Sequence, residues 1–187
     1  MKNPLHFGFV WYIMNAKWGI VAVSEPFAHK TQQKSHDLRK GGRKMDVYGE
    51  YHHSIDTKKR LFIPAKFREE LCSTSDTFYI TRKLEKALII YSAEGWADLK
   101  RKLNEKPDSV VGKIKQFIFP KTVDATPDAN GRVILSPFLI EYAGLGKDVV
   151  VAGVGDHVEI WSEEAWNEKE ASMDTEELTG ILKELGL

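Results

Sequence analysis

The chain has 187 residues, 42% of them hydrophobic, and its 27 Lys and Arg are balanced by 27 Asp and Glu to a formal net charge of zero. That is enough apolar content to bury the core of one domain or of two small ones. A single cysteine, Cys72, excludes an internal disulfide framework and any multi-cysteine zinc site, suits a reducing cytoplasm, and reads most simply as a small buried apolar residue.

The charge is unevenly spread. Residues 1–45 carry eight Lys or Arg against Glu25 and Asp37, which leaves nineteen basic and twenty-five acidic residues, a net of −6, in 46–187. Within the first stretch the apolar run Phe7–Met14 follows Lys2 but is soon interrupted by Lys17, far too short to span a membrane. Lys30–His36 is polar and aperiodic and reads as disorder. Lys40-Gly41-Gly42-Arg43-Lys44 can be encoded by a purine run containing GGAGG just ahead of the Met45 codon. Residues 1–44 are therefore expected to be a disordered or non-native extension, a translated ribosome-binding site with Met45 as the natural start. A genuine basic tail and a cleaved signal are the alternatives, and N-terminal sequencing of the protein from its own cells separates them.

From Met45 the pattern becomes regular. Val47–Ile55 alternates weakly and predicts a first strand. His52 and His53 within it point to opposite faces and so do not chelate together. The next stretch, Ser54–Arg68, carries a turn with Asp56-x-x-x-Arg60, a short apolar strand, and Pro64 opening a helix whose inner side is Phe67 and Leu71. Lys66 and Arg68 are expected to face outward. The same sentence is written again 72 residues later, with Asp128 and Arg132 in the turn, Val133-Ile134-Leu135 as the strand and Pro137 opening the helix.

Asn130-Gly131 predicts a type I′ hairpin turn, in which both central residues have positive φ. Lys58-Lys59 replaces that pair in the first copy, where positive φ is costlier, and predicts a looser turn or one of another type. An Asp four positions before an Arg can hold the guanidinium by charge-assisted bonds and aim it outward as a fork for a phosphate or a base edge. A plain surface ion pair is the simpler reading of one copy; two copies look like a paired device. Lys58, Lys59, Arg60, Lys66 and Arg68 stand against Asp56 alone, a basic face on an acidic body that implies aimed binding to a polyanion.

Thr77–Thr81 and Ala87–Tyr91 predict a strand pair, Ser92 a helix cap, and Trp96, Leu99 and Leu103 the core stripe of the helix that follows. Val111, Ile114, Phe117 and Ile118 predict a linking helix, leading to a strand through Val123. After the second motif Gly144 ends a helix, Asp148–Gly153 and Val158–Trp161 repeat the strand pair, and Ser162 and Trp166 repeat Ser92 and Trp96 at a spacing of 70. The division expected is 45–106 for the first half, and 107–187 for the linking helix, the second half and a C-terminal helix. That last helix, with Leu178, Ile181, Leu182 and Leu185 on one side behind an Asp174 and Glu177 cap, either docks on the body or packs against a neighbouring subunit. Neither half buries both its faces alone, which predicts an α+β, mainly β, intramolecular barrel or sandwich with pseudo-two-fold symmetry and peripheral helices.

Gly49-Glu50-Tyr51 through Arg68-Glu69-Glu70-Leu71, the second Asp-x-x-x-Arg at Asp128 and Arg132, Glu141–Leu145 and Val158–Ser162 together resemble the MraZ family of bacterial transcriptional regulators. The resemblance runs from residue 45 to about 187. It implies the duplicated swapped-hairpin β-barrel shared with AbrB and MazE-type proteins, with both halves in one chain. It also implies a ring-shaped homo-oligomer that binds repeats in the promoter of the division and cell-wall gene cluster, in the cytoplasm and associated with the nucleoid. The DNA-binding set expected is Asp56, Lys58, Lys59, Arg60, Lys66, Arg68, Asp128 and Arg132. Three positions depart from the family pattern: Lys59 stands for Gly, Ser136-Pro137 shifts the second proline by one, and Ile140 replaces a basic residue.

No G-x-x-x-x-G-K, H-E-x-x-H or G-x-S-x-G is present, so no enzyme, cofactor, metal or small-molecule substrate is expected. The competing reading is an antitoxin-like or protein-binding module whose acidic segment from Glu141 onward, net −9, grips a basic partner.

Overall fold

Short runs of β-branched and aromatic residues, punctuated by charged turns, build residues 45–187 of this chain. A computed structural model describes residues 45–187, and the expectations for residues 1–44 lie outside the described residues. In the first half come β1 (Val47–Ser54), β2 (Arg60–Phe62), α1 (Ala65–Leu71), β3 (Phe78–Lys83), β4 (Ala87–Tyr91) and α2 (Ala93–Asn104). The linking helix α3 (Asp108–Ile118) and a 3-10 turn at Phe119–Lys121 lead into the second half. There β5 (Val123–Ala125), β6 (Arg132–Ile134), α4 (Pro137–Tyr142), β7 (Asp148–Gly155), β8 (Val158–Ser162) and α5 (Glu163–Ala171) repeat the series, and α6 (Thr175–Glu184) ends it.

The fold is α+β with an antiparallel six-stranded sheet in the order β1-β7-β8-β4-β3-β5. Exchanging every strand for its copy returns the same order read backwards. Each half therefore lends its leading strand to the other: β1 lies on β7 from Val47 opposite Gly155 to Ser54 opposite Asp148, and β5 lies on β3. The remaining strands, β2 and β6, pair only with each other as a two-stranded ribbon.

Of the barrel or sandwich expected, no closed barrel is found among the described residues. Closure requires a hydrogen-bonded neighbour on both sides of every strand, yet β1 and β5 end the sheet. Physically, β2 and β6 are only three residues long and spend their hydrogen bonds on one another, so among the described residues no strand is left to bridge the two edges. The ribbon instead covers the sheet through Leu61 and Val133, which join Ile63, Phe67, Phe78, Ile80, Leu135, Leu139, Val151 and Ile160 in one core drawn from both halves.

Local signals act where the residue pattern put them. Ser92 Oγ accepts from the Gly95 amide at 3.1 Å and Ser162 Oγ from the Ala165 amide at 3.2 Å, capping α2 and α5. Gly144, at φ 59°, closes α4: its amide donates to Glu141 and the Leu145 amide to Ile140, the paired bonds of a Schellman ending. Trp96 is buried and stacked on Tyr79 with ring centroids 5.5 Å apart, while Leu99 and Leu103 are half-buried. On the linking helix Val111 is buried but Ile114 is exposed. The final segment does not dock on the body, since every residue from Ala171 to Leu187 is exposed.

Candidate nucleic-acid interface

The two Asp-x-x-x-Arg loops fold alike, bond for bond. In the first, Asp56 Oδ1 accepts the amides of Lys58 at 2.8 Å and Arg60 at 2.9 Å, while Oδ2 accepts Arg60 Nε and Nη2, both at 2.7 Å. In the second, Asp128 Oδ1 accepts the amides of Asn130 at 2.8 Å and Arg132 at 3.0 Å, and Oδ2 accepts Arg132 Nε and Nη2, both at 3.0 Å. An aspartate has the reach to satisfy loop amides two and four residues on and still hold a guanidinium, which explains this residue type at this spacing.

The backbone corrects two expectations. Asn130 does not have positive φ and Gly131 does, at 75°, so the turn is not type I′. Nor is the first turn looser or different, because Lys59 adopts φ 61° in the place of Gly131 and the loop closes with the same bonds. The aspartate, holding both amides and the guanidinium, carries the strain of a left-handed non-glycine residue. Neither loop links strands of one hairpin, for the strand leaving each pairs with the strand leaving the other.

The arrangement also sets the charge state. Hydrogen bonds from the Arg60 side chain and backbone hold the Asp56 carboxyl down to about 2. The Arg132 amide, then its side chain, lowers Asp128 below the ordinary carboxylate range. Both acids are ionised near neutral pH. Each guanidinium is gripped by its aspartate along the Nε/Nη2 edge, which leaves the N–H groups of Nη1 and the second of Nη2 as an outward fork.

Register places the two arginines together. In the ribbon Arg60 faces Ile134, Leu61 faces Val133 and Phe62 faces Arg132. Side chains alternate along a strand, so burial of Leu61 and Val133 turns Arg60, Phe62, Arg132 and Ile134 to the opposite, outer face. Arg60 and Arg132 are diagonal neighbours there, a relationship that spaces residues by roughly 7–8 Å. Exposed Phe62 and Ile134, at 36% and 69%, complete this face. They were not singled out from sequence, although the i, i+2 rule applied to Arg60-Leu61-Phe62 and Arg132-Val133-Ile134 finds them.

The other basic residues separate. Lys58 and Lys59 are exposed on the first loop. Lys66 is exposed too, but its Nζ lies 3.3 Å from the centroid of the Tyr48 ring and 3.3 Å from the Tyr48 carbonyl oxygen, against β1. Arg68, expected to face outward, is half-buried: Nε donates to the Ile63 carbonyl at 3.0 Å and the guanidinium carbon lies 5.6 Å from the Phe62 ring. His52 bonds to Glu50 at 3.0 Å and Glu163 at 3.3 Å, whereas His53 turns its ring to Phe62. Among the described residues no group of three or more His, Cys, Asp or Glu could hold a metal ion, and no helix is long and apolar enough to cross a membrane.

A family model described as "MraZ protein, putative antitoxin-like" matches this chain twice, over residues 47–111 and 118–184, one stretch for each loop and its flanks. The chain belongs to the MraZ family. Among its MraZ relatives, one from Moorella thermoacetica is 44% identical over 122 residues, 64% of this chain and 83% of the relative. One from Dictyoglomus thermophilum is 42% identical over 122 residues, 64% of this chain and 82% of the relative. One from Clostridium tetani is 37% identical over 142 residues, 74% of this chain and 98% of the relative. All three carry the name transcriptional regulator MraZ, the name of a regulator and not of an enzyme.

Proposed function

We propose that this protein is a DNA-binding transcriptional regulator whose outer ribbon face reads duplex DNA. The observation that carries the proposal is the diagonal placement of Arg60 and Arg132, each braced by its own aspartate, on one two-stranded ribbon. The major groove admits such a ribbon, and an arginine fork matches the O6 and N7 acceptors of guanine. Bracing removes rotamer freedom before binding, so less is lost when the fork engages. Lys58 and Lys59, exposed beside Arg60, contribute phosphate contacts that fix position without reading sequence.

One ribbon offers few contacts, so the protein works as a homo-oligomer. The apolar residues Leu178, Ile181, Leu182 and Leu185 of α6 are 47%, 45%, 48% and 68% exposed. The segment 163–187 carries eight acidic residues and two basic ones, whereas 93–121, which bears the exposed Val110 and Ile114 of α3, carries seven basic and four acidic. Docking α6 of one copy on α3 of the next joins unlike surfaces, and such head-to-tail contacts close into rings. A ring presents several ribbons to successive promoter repeats, which raises avidity without any new contact. The repeats proposed are those ahead of the division and cell-wall gene cluster, with the protein in the cytoplasm and on the nucleoid.

Titration of the DNA upstream of its own gene, read by fluorescence anisotropy, tests the reading. Specific binding should weaken strongly in Arg60→Ala and Arg132→Ala, with log affinity falling against log salt by roughly 0.9 per phosphate contact. Affinities unchanged in both variants would remove the ribbon from the site.

A further inference from the structure

The two loops match in backbone but not in charge, and one side chain crosses between halves at the point of difference. The first loop presents Lys58, Lys59 and Arg60; the second has Asn130, Gly131 and Arg132 in those places. Beside the second loop lies Arg68 of α1. A Cβ built on Gly131 would fall 2.5 Å from Arg68 Cζ and 2.6 Å from Arg68 Nε, so the guanidinium lies flat against the Gly131 backbone. Two further bonds lock this contact. Arg68 Nε donates to the Ile63 carbonyl at 3.0 Å, and the Ile63 amide donates to the Gly131 carbonyl at 3.0 Å.

The reciprocal contact is built differently. The Leu135 amide donates to the Lys59 carbonyl at 2.9 Å, repeating the Ile63 bond. At the position of Arg68 the second copy has Ile140, and at the position of Gly131 the first copy has Lys59. The second copy thus carries an apolar residue where the first has the arginine, and the first loop a lysine where the second has glycine. Glycine at 131 takes the φ of 75° without the strain that Lys59 bears in the first loop, and it leaves room for Arg68 where it lies.

We infer that Arg68 belongs to the second loop and not to the first: it crosses from α1 to fix the Gly131 backbone and sets beside Arg132 the positive charge that this loop lacks. Half-buried and fixed at Nε, it is a positioning residue for Arg132 that keeps its terminal N–H groups available to a phosphate. The second grip is thus a composite of both halves, and the two loops hold nucleic acid in chemically different ways. The charge part of this inference rests on the DNA-binding reading above; the bracing part does not.

The test has two arms on the full chain. Amide hydrogen exchange, free of DNA, should rise at least about fivefold across 128–132 in Arg68→Ala and leave 56–60 unchanged, because the guanidinium packs on Gly131 and its bond to Ile63 supports the Ile63–Gly131 link. Arg68→Gln, which keeps the side chain's bulk and a donor, should show a smaller rise in the same segment, and it serves as the folded comparison should Arg68→Ala lose its helix. Equal changes in both loops, or in neither, overturn the assignment. In DNA titrations Arg68→Ala should lower affinity more in the Arg60→Ala background, where both its phosphate contact and its support of Arg132 are lost, than in the Arg132→Ala background, where only the phosphate contact is lost. Equal losses in the two backgrounds overturn it as well. If no form of the protein binds DNA, the ribbon reading fails while the exchange arm still decides whether Arg68 braces the second loop.

Discussion

Leu61 faces Val133 across the ribbon, and each holds in its own half the place that the other holds 72 residues away. The pseudo-two-fold axis of the body runs through this pair. Both are buried, with 0% and 1% of their surface exposed, so the core at the axis belongs to neither half alone. Leu61→Ala should cost about 2–5 kcal/mol, the range for emptying a packed leucine site. Unfolding in urea should remain one cooperative transition by circular dichroism and by tryptophan fluorescence. Two separated transitions would show that the halves stand independently.

The aspartate brace predicts that Asp56→Asn weakens DNA binding while Arg60 is still present. The amide replaces two charge-assisted bonds by weaker ones and frees the guanidinium to move. With its folded value depressed to about 2 from an ordinary 3.8, the carboxylate supports the loop fully above 3.8 and loses that role only as pH falls toward about 2. Affinity measured by anisotropy at pH 5 and pH 7 should therefore show no protonation of this pair. Wild-type affinity for Asp56→Asn at pH 7 would deny the brace any function.

Lys59 and Gly131 share one backbone conformation but not one side chain, and the exchange experiments should diverge. Lys59→Gly relieves a left-handed lysine and should stabilise the fold by about 1 kcal/mol. It should also reduce the salt slope of DNA binding by roughly 0.9, one phosphate contact. Gly131→Ala should destabilise, because the added methyl meets both a φ of 75° and the Arg68 guanidinium. Thermal melting of the two variants beside the wild type measures both signs.

A buried acid outside the two loops makes stability depend on pH. Glu159 is 4% exposed and accepts Trp161 Nε1 at 2.8 Å and His157 Nε2 at 3.2 Å, with Lys83 Nζ 3.5 Å away. Burial pushes its carboxyl up, but the bonds from His157 and Trp161 and the charge of Lys83 outweigh this and hold it at about 2. His157 is raised above its ordinary 6.5 by its bond to Glu159, helped by Asp156. The Glu159 contribution is thus present above 4.5 and fades as pH falls toward about 2. The His157 contribution is present below 6.5 and fades as pH rises through the raised value. Melting temperature should decline on the alkaline side of 6.5, and His157→Gln should flatten that decline. Identical profiles for the two proteins would count against the network.

If copies assemble through the uncovered face of α6 as proposed, Ile181→Asp with Leu182→Asp dissociates them without unfolding the body, because neither residue is buried within the chain. Light scattering after gel filtration should report a smaller particle with an unchanged circular dichroism spectrum. A monomeric wild-type protein would remove the ring from the proposal.

Residue order alone determined the duplicated motif, the pairing of each aspartate with its arginine, the serine caps and the glycine ending of α4. Each of these is decided within a few residues of chain, by side-chain reach and by φ. Exchange of leading strands between halves depended on which hydrophobic face finds which partner across 72 or more residues, and no local pattern carries that. The same distance effect misled the turn expectation: Asn130-Gly131 signals a hairpin only if its flanking strands pair, and tertiary structure paired β2 with β6 instead. Arg68 shows the limit most clearly. From its helix position it belonged on the surface beside the first loop, and only packing of the two halves laid it across Gly131 of the second.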